Sequence, residues 1–220
     1  MTDRISISDL KRMLSEAARC LRERHEYLSQ LDCVAGDGDH GTTMLSASGQ
    51  LEAAVAQAPS QNSRELLKDC GWRILSIDGG ASSALLGTFF LGMAETASES
   101  DFGCGALAAA FESGLNAVLK QTKARPGDKT MVDALVPAVN ALHAAAESGM
   151  PIPAALEGAA AAAQAGAEST KPLVAHYGRA KFLGEKTLGH ADPGAVSMAL
   201  LFQGFSEALV PRREIDHGGF

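Results

Sequence analysis

The chain has 220 residues, 46% of them hydrophobic and 20% charged, which suits one domain with a sizeable core. Nineteen Lys and Arg against 26 Asp and Glu give a net charge of −7, which argues against nucleic acid or an anionic membrane as partner. Cys20, Cys33, Cys70 and Cys104 form neither a CxxC pair nor a zinc-spaced cluster, so they read as reduced thiols of a cytoplasmic protein. MTDRISISDLKR at the start lacks the apolar run of a signal peptide, and no stretch approaches the ~20 apolar residues that cross a bilayer.

In chain order the pattern is helix after helix. Leu10, Leu14, Ala17, Leu21, Leu28 and Leu31 recur at helical spacing, and Ser6 with Asp9 fits a capping box before them, so one helix is expected up to about Asp32. Further helices are expected over 41–58, 62–77, from the GGAS stretch at 79–82 to about Ala97, and over 106–119. A sixth begins at Thr130, where Thr130 and Asp133 again fit a capping box. The alanine-rich run 153–170 is a seventh, and 194–209 the last. Period-2 alternation is nearly absent, and no linker divides the chain. The expectation is an all-α fold of about eight helices in one domain over residues 1–220.

Four stretches rich in Gly and polar groups interrupt this pattern: 33–44, 77–88, 124–133 and 176–195. Each adjoins the start of an expected helix, where unpaired N–H groups and the positive end of the dipole favour anions. GDGDHG at 36–41 matches the dinucleotide pattern GxGxxG, but a helix precedes it where a strand is required, and two carboxylates would face the pyrophosphate. It is not an EF-hand either, since Gly41 and Ser48 fall at positions 5 and 12 of the loop. Asp32, Asp37 and Asp39 lie within eight residues across one helix–loop–helix junction. Asp-Gly pairs make turns by themselves, but three clustered carboxylates repel one another unless a cation sits among them, and magnesium favours such oxygen ligands. For GGAS, helix packing and phosphate binding weigh equally. Lys129 also reads as a solvated surface lysine, an isolated loop Arg such as Arg179 is more often a surface charge than a catalytic group, and structural hydrogen bonding is the default for His40, His176 and His190.

Together, LDCVAGDGDHGTTM, GGASSALLGTFF, GDKTMVDAL and GRAKFLGEKTLGHADPGAVS resemble the L subunits of bacterial dihydroxyacetone kinases, equivalent to the C-terminal domain of the fused ATP-dependent enzymes. The resemblance runs from residue 31 to 197 in the family's order. It implies a barrel of eight antiparallel helices with ADP or ATP and two magnesium ions in the loops at one end. Asp32, Asp37 and Asp39 match the metal ligands. His40, Gly41, Thr42 and Thr43 match a phosphate-holding segment, and Ala81 and Ser82 a second phosphate contact. Thr122 and Met131 match the adenine pocket, Arg179 a catalytic arginine near the phosphates, and Asp192, Pro193 and Gly194 the closing loop.

The same resemblance implies partners: a sugar-binding K subunit, a phosphohistidine protein of the phosphotransferase system that rephosphorylates bound ADP, and in some members a transcriptional regulator. ATP exchanging freely from solution is the alternative donor. The family often has Asn where Thr43 stands and Gly-Pro at Ser83-Ala84. These departures point towards another short ketose, such as a tetrulose, as an alternative acceptor. The tail PRREIDHGGF matches no motif.

Overall fold

The computed structural model describes residues 4–58, 62–98 and 101–209, so the tail at 211–220 lies outside the described residues. Nine α-helices occur among them: α1 (Ile7–Glu23), α2 (His25–Ala35), α3 (His40–Gln57), α4 (Ser63–Leu75), α5 (Gly80–Thr96), α6 (Cys104–Gln121), α7 (Val132–Glu147), α8 (Ile152–Ser169) and α9 (Pro193–Glu207). The β-structure among these residues is one isolated antiparallel bridge between Ile5 and Phe102.

Two expectations about helix ends are corrected. The single helix expected up to Asp32 is two, broken at Arg24, whose φ of −108° and ψ of 8° leave the helical region. The His25 ring nitrogen Nδ1 sits 2.7 Å from the Arg22 carbonyl and takes up an acceptor that the end of α1 leaves over. Leu21 and Leu28 are both fully buried, so the apolar spacing carries on across the break and conceals it. At the other site, α7 begins at Val132 and not at Thr130, and the reciprocal box with Asp133 does not form. The Asp133 carboxylate instead accepts the amides of Thr130 at 2.8 Å and Gly127 at 2.6 Å, while the Thr130 hydroxyl accepts that of Val132 at 3.2 Å. The box at Ser6 and Asp9 is complete, and Asn62 caps α4 by accepting the amides of Arg64 and Glu65.

Eight helices close a ring, in the order α1, α3, α4, α5, α6, α7, α8, α9 and back to α1, each packed on the next. Helix α2 lies outside it against α3 and α9. From α3 to α8, short connections make consecutive helices antiparallel, and His40 at the start of α3 bonds both Ser82 of α5 and Ser197 of α9. The α2–α3, α4–α5, α6–α7 and α8–α9 connections therefore gather at one end of the barrel. The barrel has an apolar core, with Phe89, Phe90, Phe111, Phe202 and Phe205 buried in it. No described helix is long and apolar enough to cross a membrane.

Candidate functional site

At the end where those four connections meet, Asp32 projects from the last turn of α2, and Asp37 and Asp39 from the loop that follows. One carboxylate oxygen of each lies within 4.8 Å of the others. The local sequence makes this approach possible. A Cβ at Gly36 would fall 2.3 Å from Asp32 Oδ1, and one at Gly41 would fall 1.9 Å from the His25 carbonyl where α3 crosses α2. A side chain at Gly36 would displace the Asp32 carboxylate, and one at Gly41 would push the start of α3 off the α2 backbone. Asp32 Oδ2 also accepts the His40 amide at 3.2 Å, tying the end of α2 to the start of α3. Asp32 is half-buried; Asp37 and Asp39 are exposed. Three hard oxygen donors without sulfur or imidazole among them fit a hard divalent cation such as Mg2+.

Arg179 reaches this cluster from the α8–α9 connection. Its guanidinium pairs with Asp37 and stands 3.5 Å from Asp39. One cation against three carboxylates leaves the loop net negative.

Beside the cluster, His40 opens α3 and is almost fully buried. Its Nδ1 is 3.0 Å from Ser82 Oγ on α5, and its Nε2 is 3.2 Å from Ser197 Oγ on α9. Burial pulls the imidazole down to about 4, against the opposing pull of Asp32 and the Pro193 carbonyl. The ring is therefore neutral near pH 7, with one nitrogen donating and the other accepting. It joins α3, α5 and α9 near their starts. A small cavity beneath it is lined by His40, Met44, Ser82, Met131, Gly194 and Ser197 among others.

Lys129 is buried and is not the solvated surface lysine its sequence context suggests. Its backbone has φ +61°, unusual for a residue with a side chain. Its Nζ donates to the carbonyls of Thr170 at 2.8 Å, Thr187 at 2.9 Å and His190 at 2.6 Å. Burial lowers its pKa, and Asp192 and Asp133 counter that. Asp192 caps α9 by accepting the Ala195 amide at 2.7 Å. Desolvation pushes its carboxyl up to about 7, more than that hydrogen bond and Lys129 draw it down. Beside Lys129 in sequence, the Asp128 carboxylate meets His176 Nδ1 at 2.9 Å, and its carbonyl accepts the His176 amide at 3.2 Å.

The residues singled out from sequence thus fall into groups. Asp32, Asp37, Asp39 and Arg179 come together, and so do His40, Ser82, Met131 and Gly194. Gly41 is buried in the α2–α3 crossing, and Thr43 is buried with its side chain against Gly79. Thr42 and Ala81 are exposed on the first turns of α3 and α5. Asp192 and Pro193 start α9. Thr122 closes α6 and accepts the Ala124 amide at 3.1 Å; it does not line the cavity under His40. Ser197 and the carbonyls around Lys129 were not singled out. Ser197 stands one turn into a helix after a DPG start, and that spacing alone would have marked it as facing the same way as Gly194.

A family model described as DAK2 domain matches residues 34–207. The chain is 36% identical over 200 residues to the PEP-dependent dihydroxyacetone kinase, ADP-binding subunit DhaL, of Escherichia coli, covering 90% of this chain and 95% of that one. It is 39% identical over 186 residues to L-erythrulose 1-kinase of Mycolicibacterium smegmatis, covering 83% of this chain and 32% of that one. The crystal structure of the dihydroxyacetone kinase from C. freundii in complex with AMP-PNP and Mg2+ superposes with a TM-score of 0.69 at 29% identity. That match covers 89% of this chain and 33% of the kinase, so the chain spans about a third of its structural relative.

Proposed function

The chain belongs to the DAK2 domain family, and on that premise we propose that it is the nucleotide-binding, phosphoryl-transferring subunit of a dihydroxyacetone-type kinase. It holds ADP with magnesium and passes a phosphoryl group to dihydroxyacetone carried on a separate sugar-binding subunit. A phosphohistidine protein of the phosphotransferase system recharges the ADP. The observation that carries this reading is the meeting of Asp32, Asp37 and Asp39 with Arg179 above the starts of α3, α5 and α9.

Phosphoryl transfer asks a protein for alignment and charge neutralisation more than for covalent chemistry. Asp32, Asp37 and Asp39 would hold the magnesium, which when bound supplies positive charge to the phosphate oxygens. The first-turn amides of α3 and α5, at Gly41, Thr42, Ala81 and Ser82, offer donors to the phosphates, while the Thr43 amide is taken by the Asp39 carbonyl. Neutral His40 fixes the spacing between those turns by bonding Ser82 and Ser197. Arg179 gives the transferring group a movable cation. Met131, with Thr122, is assigned to the adenine, and Asp192, Pro193 and Gly194 close over the nucleotide.

Calorimetric titration of ADP with and without Mg2+ tests the assignment. Asp37→Asn should weaken Mg2+-dependent binding by about a hundredfold, the upper end of what groups supporting a metal site contribute, and leave the helical circular dichroism intact. Unchanged affinity would refute the metal assignment.

A second reading has a specific observation in its favour. The likeness to L-erythrulose 1-kinase, and Thr43 and Ser83-Ala84 in place of the family's usual residues, favour an ATP-dependent tetrulose kinase with free nucleotide exchange. Radiolabelled ATP that replaces all bound nucleotide within seconds selects this reading over the phosphohistidine donor.

A further inference from the structure

The 21 residues between Lys171 and Ala191 form no α-helix, only two short 3-10 turns at Ala180–Phe182 and Gly184–Thr187. This strap carries Arg179 across the barrel end to Asp37 and Asp39. Arg179 itself is exposed, and its guanidinium ends on those two carboxylates. The strap is fixed from below. The Lys129 ammonium has three protons, and each finds one carbonyl: Thr170 at the strap's first root, Thr187 near its end, and His190 at its second root. These three acceptors lie 41, 58 and 61 residues from Lys129, so a single side chain draws both roots and the returning limb together. The two hydrogen bonds between His176 and Asp128, and others within the strap, complete the frame. Thr187 Oγ1 accepts the Ala175 amide at 3.2 Å, and the Gly189 amide donates to the Lys171 carbonyl at 2.8 Å. The left-handed backbone at Lys129 aims the stem into the protein, where a helical or extended residue would send it elsewhere.

We propose that Lys129 is a positioning residue for the phosphoryl-transfer site: its ammonium holds the 171–191 strap in the one arrangement that sets Arg179 over the Asp32, Asp37 and Asp39 cluster. The inference rests on the functional reading above only in giving Arg179 a phosphate to meet. The three protons of the Lys129 ammonium are all taken by backbone carbonyls. It acts through the strap, and so its effect on the nucleotide exists only while Arg179 is present.

Two variants separate the ammonium from its backbone. Lys129→Met keeps the buried stem and removes the charge. Lys129→Gly removes the side chain and relieves the left-handed conformation. In the full chain without nucleotide, both should speed amide hydrogen exchange across 171–191 by about tenfold or more, as expected when charge-assisted hydrogen bonds are lost, and leave exchange in α1 to α9 unchanged. With Mg2+ present, release of methylanthraniloyl-ADP should quicken by a similar factor, and Arg179→Ala combined with Lys129→Met should release it no faster than Arg179→Ala alone. Unchanged strap exchange in both variants, additive effects in the double variant, or loss of the whole fold in both variants overturns the proposal. If the wild-type chain does not bind the ADP analogue, the functional reading fails, and the exchange measurement still decides whether Lys129 holds the strap.

Discussion

Among single residues, the cysteines show how burial sorts chemistry that composition cannot. Desolvation pushes the Cys20 thiol up to about 11, with Glu207 adding to it, and burial raises Cys70 and Cys104 as well. Cys33 alone of the four is exposed, on α2 immediately after Asp32. Iodoacetamide on the native chain near neutral pH should therefore modify Cys33 first, read by peptide mass spectrometry, and Cys20 or Cys70 reacting ahead of it would contradict this ordering. The same contrast governs what could be read from sequence. Asp32, Asp37 and Asp39 are close in the chain, so their meeting was legible. Lys129 was not, because its acceptors come from distant parts of the α8–α9 connection and a buried ammonium looks like a surface one until they are placed. Its left-handed backbone costs about 1–3 kcal/mol, a strain that persists only where surrounding contacts enforce it. The three carbonyls supply those contacts.

Among elements, the helix ends carry the argument. Ser6 and Asp9 cap α1 reciprocally, and the Asp9 carboxylate also pairs with Arg12. Burial by itself would raise the Asp9 carboxyl, but the hydrogen bonds from the Ser6 hydroxyl and amide and the Arg12 guanidinium outweigh it and hold the group below 3.8. A carboxyl whose folded value lies below its unfolded one stabilises in full above 3.8, and that contribution is lost as pH falls through the folded value. Ser6→Ala should thus cost about 1 kcal/mol near pH 7, lowering Tm by about 2–4 °C, and the gap to wild type should narrow in acid below 3.8. Thermal melts across pH check this; a gap that widens in acid would refute it. Both capping boxes had the same sequence signature, yet only this one formed. At Thr130 the Asp133 carboxylate is engaged by two amides of the preceding loop, including Gly127, which lies outside the motif. The α1–α2 break is hidden in the sequence for a related reason. Apolar spacing reports which face is buried, and that face continues unbroken from Leu21 to Leu28.

For the whole molecule, the question is what closes the ring. Local periodicity delivers helices one by one, but whether α9 returns to α1 depends on the interior they share. Five phenylalanines answer it. Phe111 of α6 meets Phe89 of α5 edge-on at 5.9 Å, and Phe202 and Phe205 of α9 at 5.4 Å and 5.6 Å. Phe90 extends the group through Phe89 at 5.7 Å. Helices α5 and α6 stand across the barrel from α9, with α7 and α8 between them along one side and α4, α3 and α1 along the other. Phe111 is therefore a strut between opposite walls, and no neighbouring helix can replace the contacts it makes. Phe111→Ala should cost about 3–5 kcal/mol, the range for removing a fully buried aromatic, and lower Tm by roughly 6–20 °C. Because the strut belongs to one closed interior, the melt should stay a single transition by circular dichroism and by calorimetry alike. At temperatures where the variant is still folded, Mg2+-dependent ADP affinity should stay within a few-fold of wild type, since the Asp cluster and Arg179 are set by the loops at one end. Separate unfolding of two helix groups, or a collapse of ADP affinity in the folded variant, would show that the interior and the loop end are not independent.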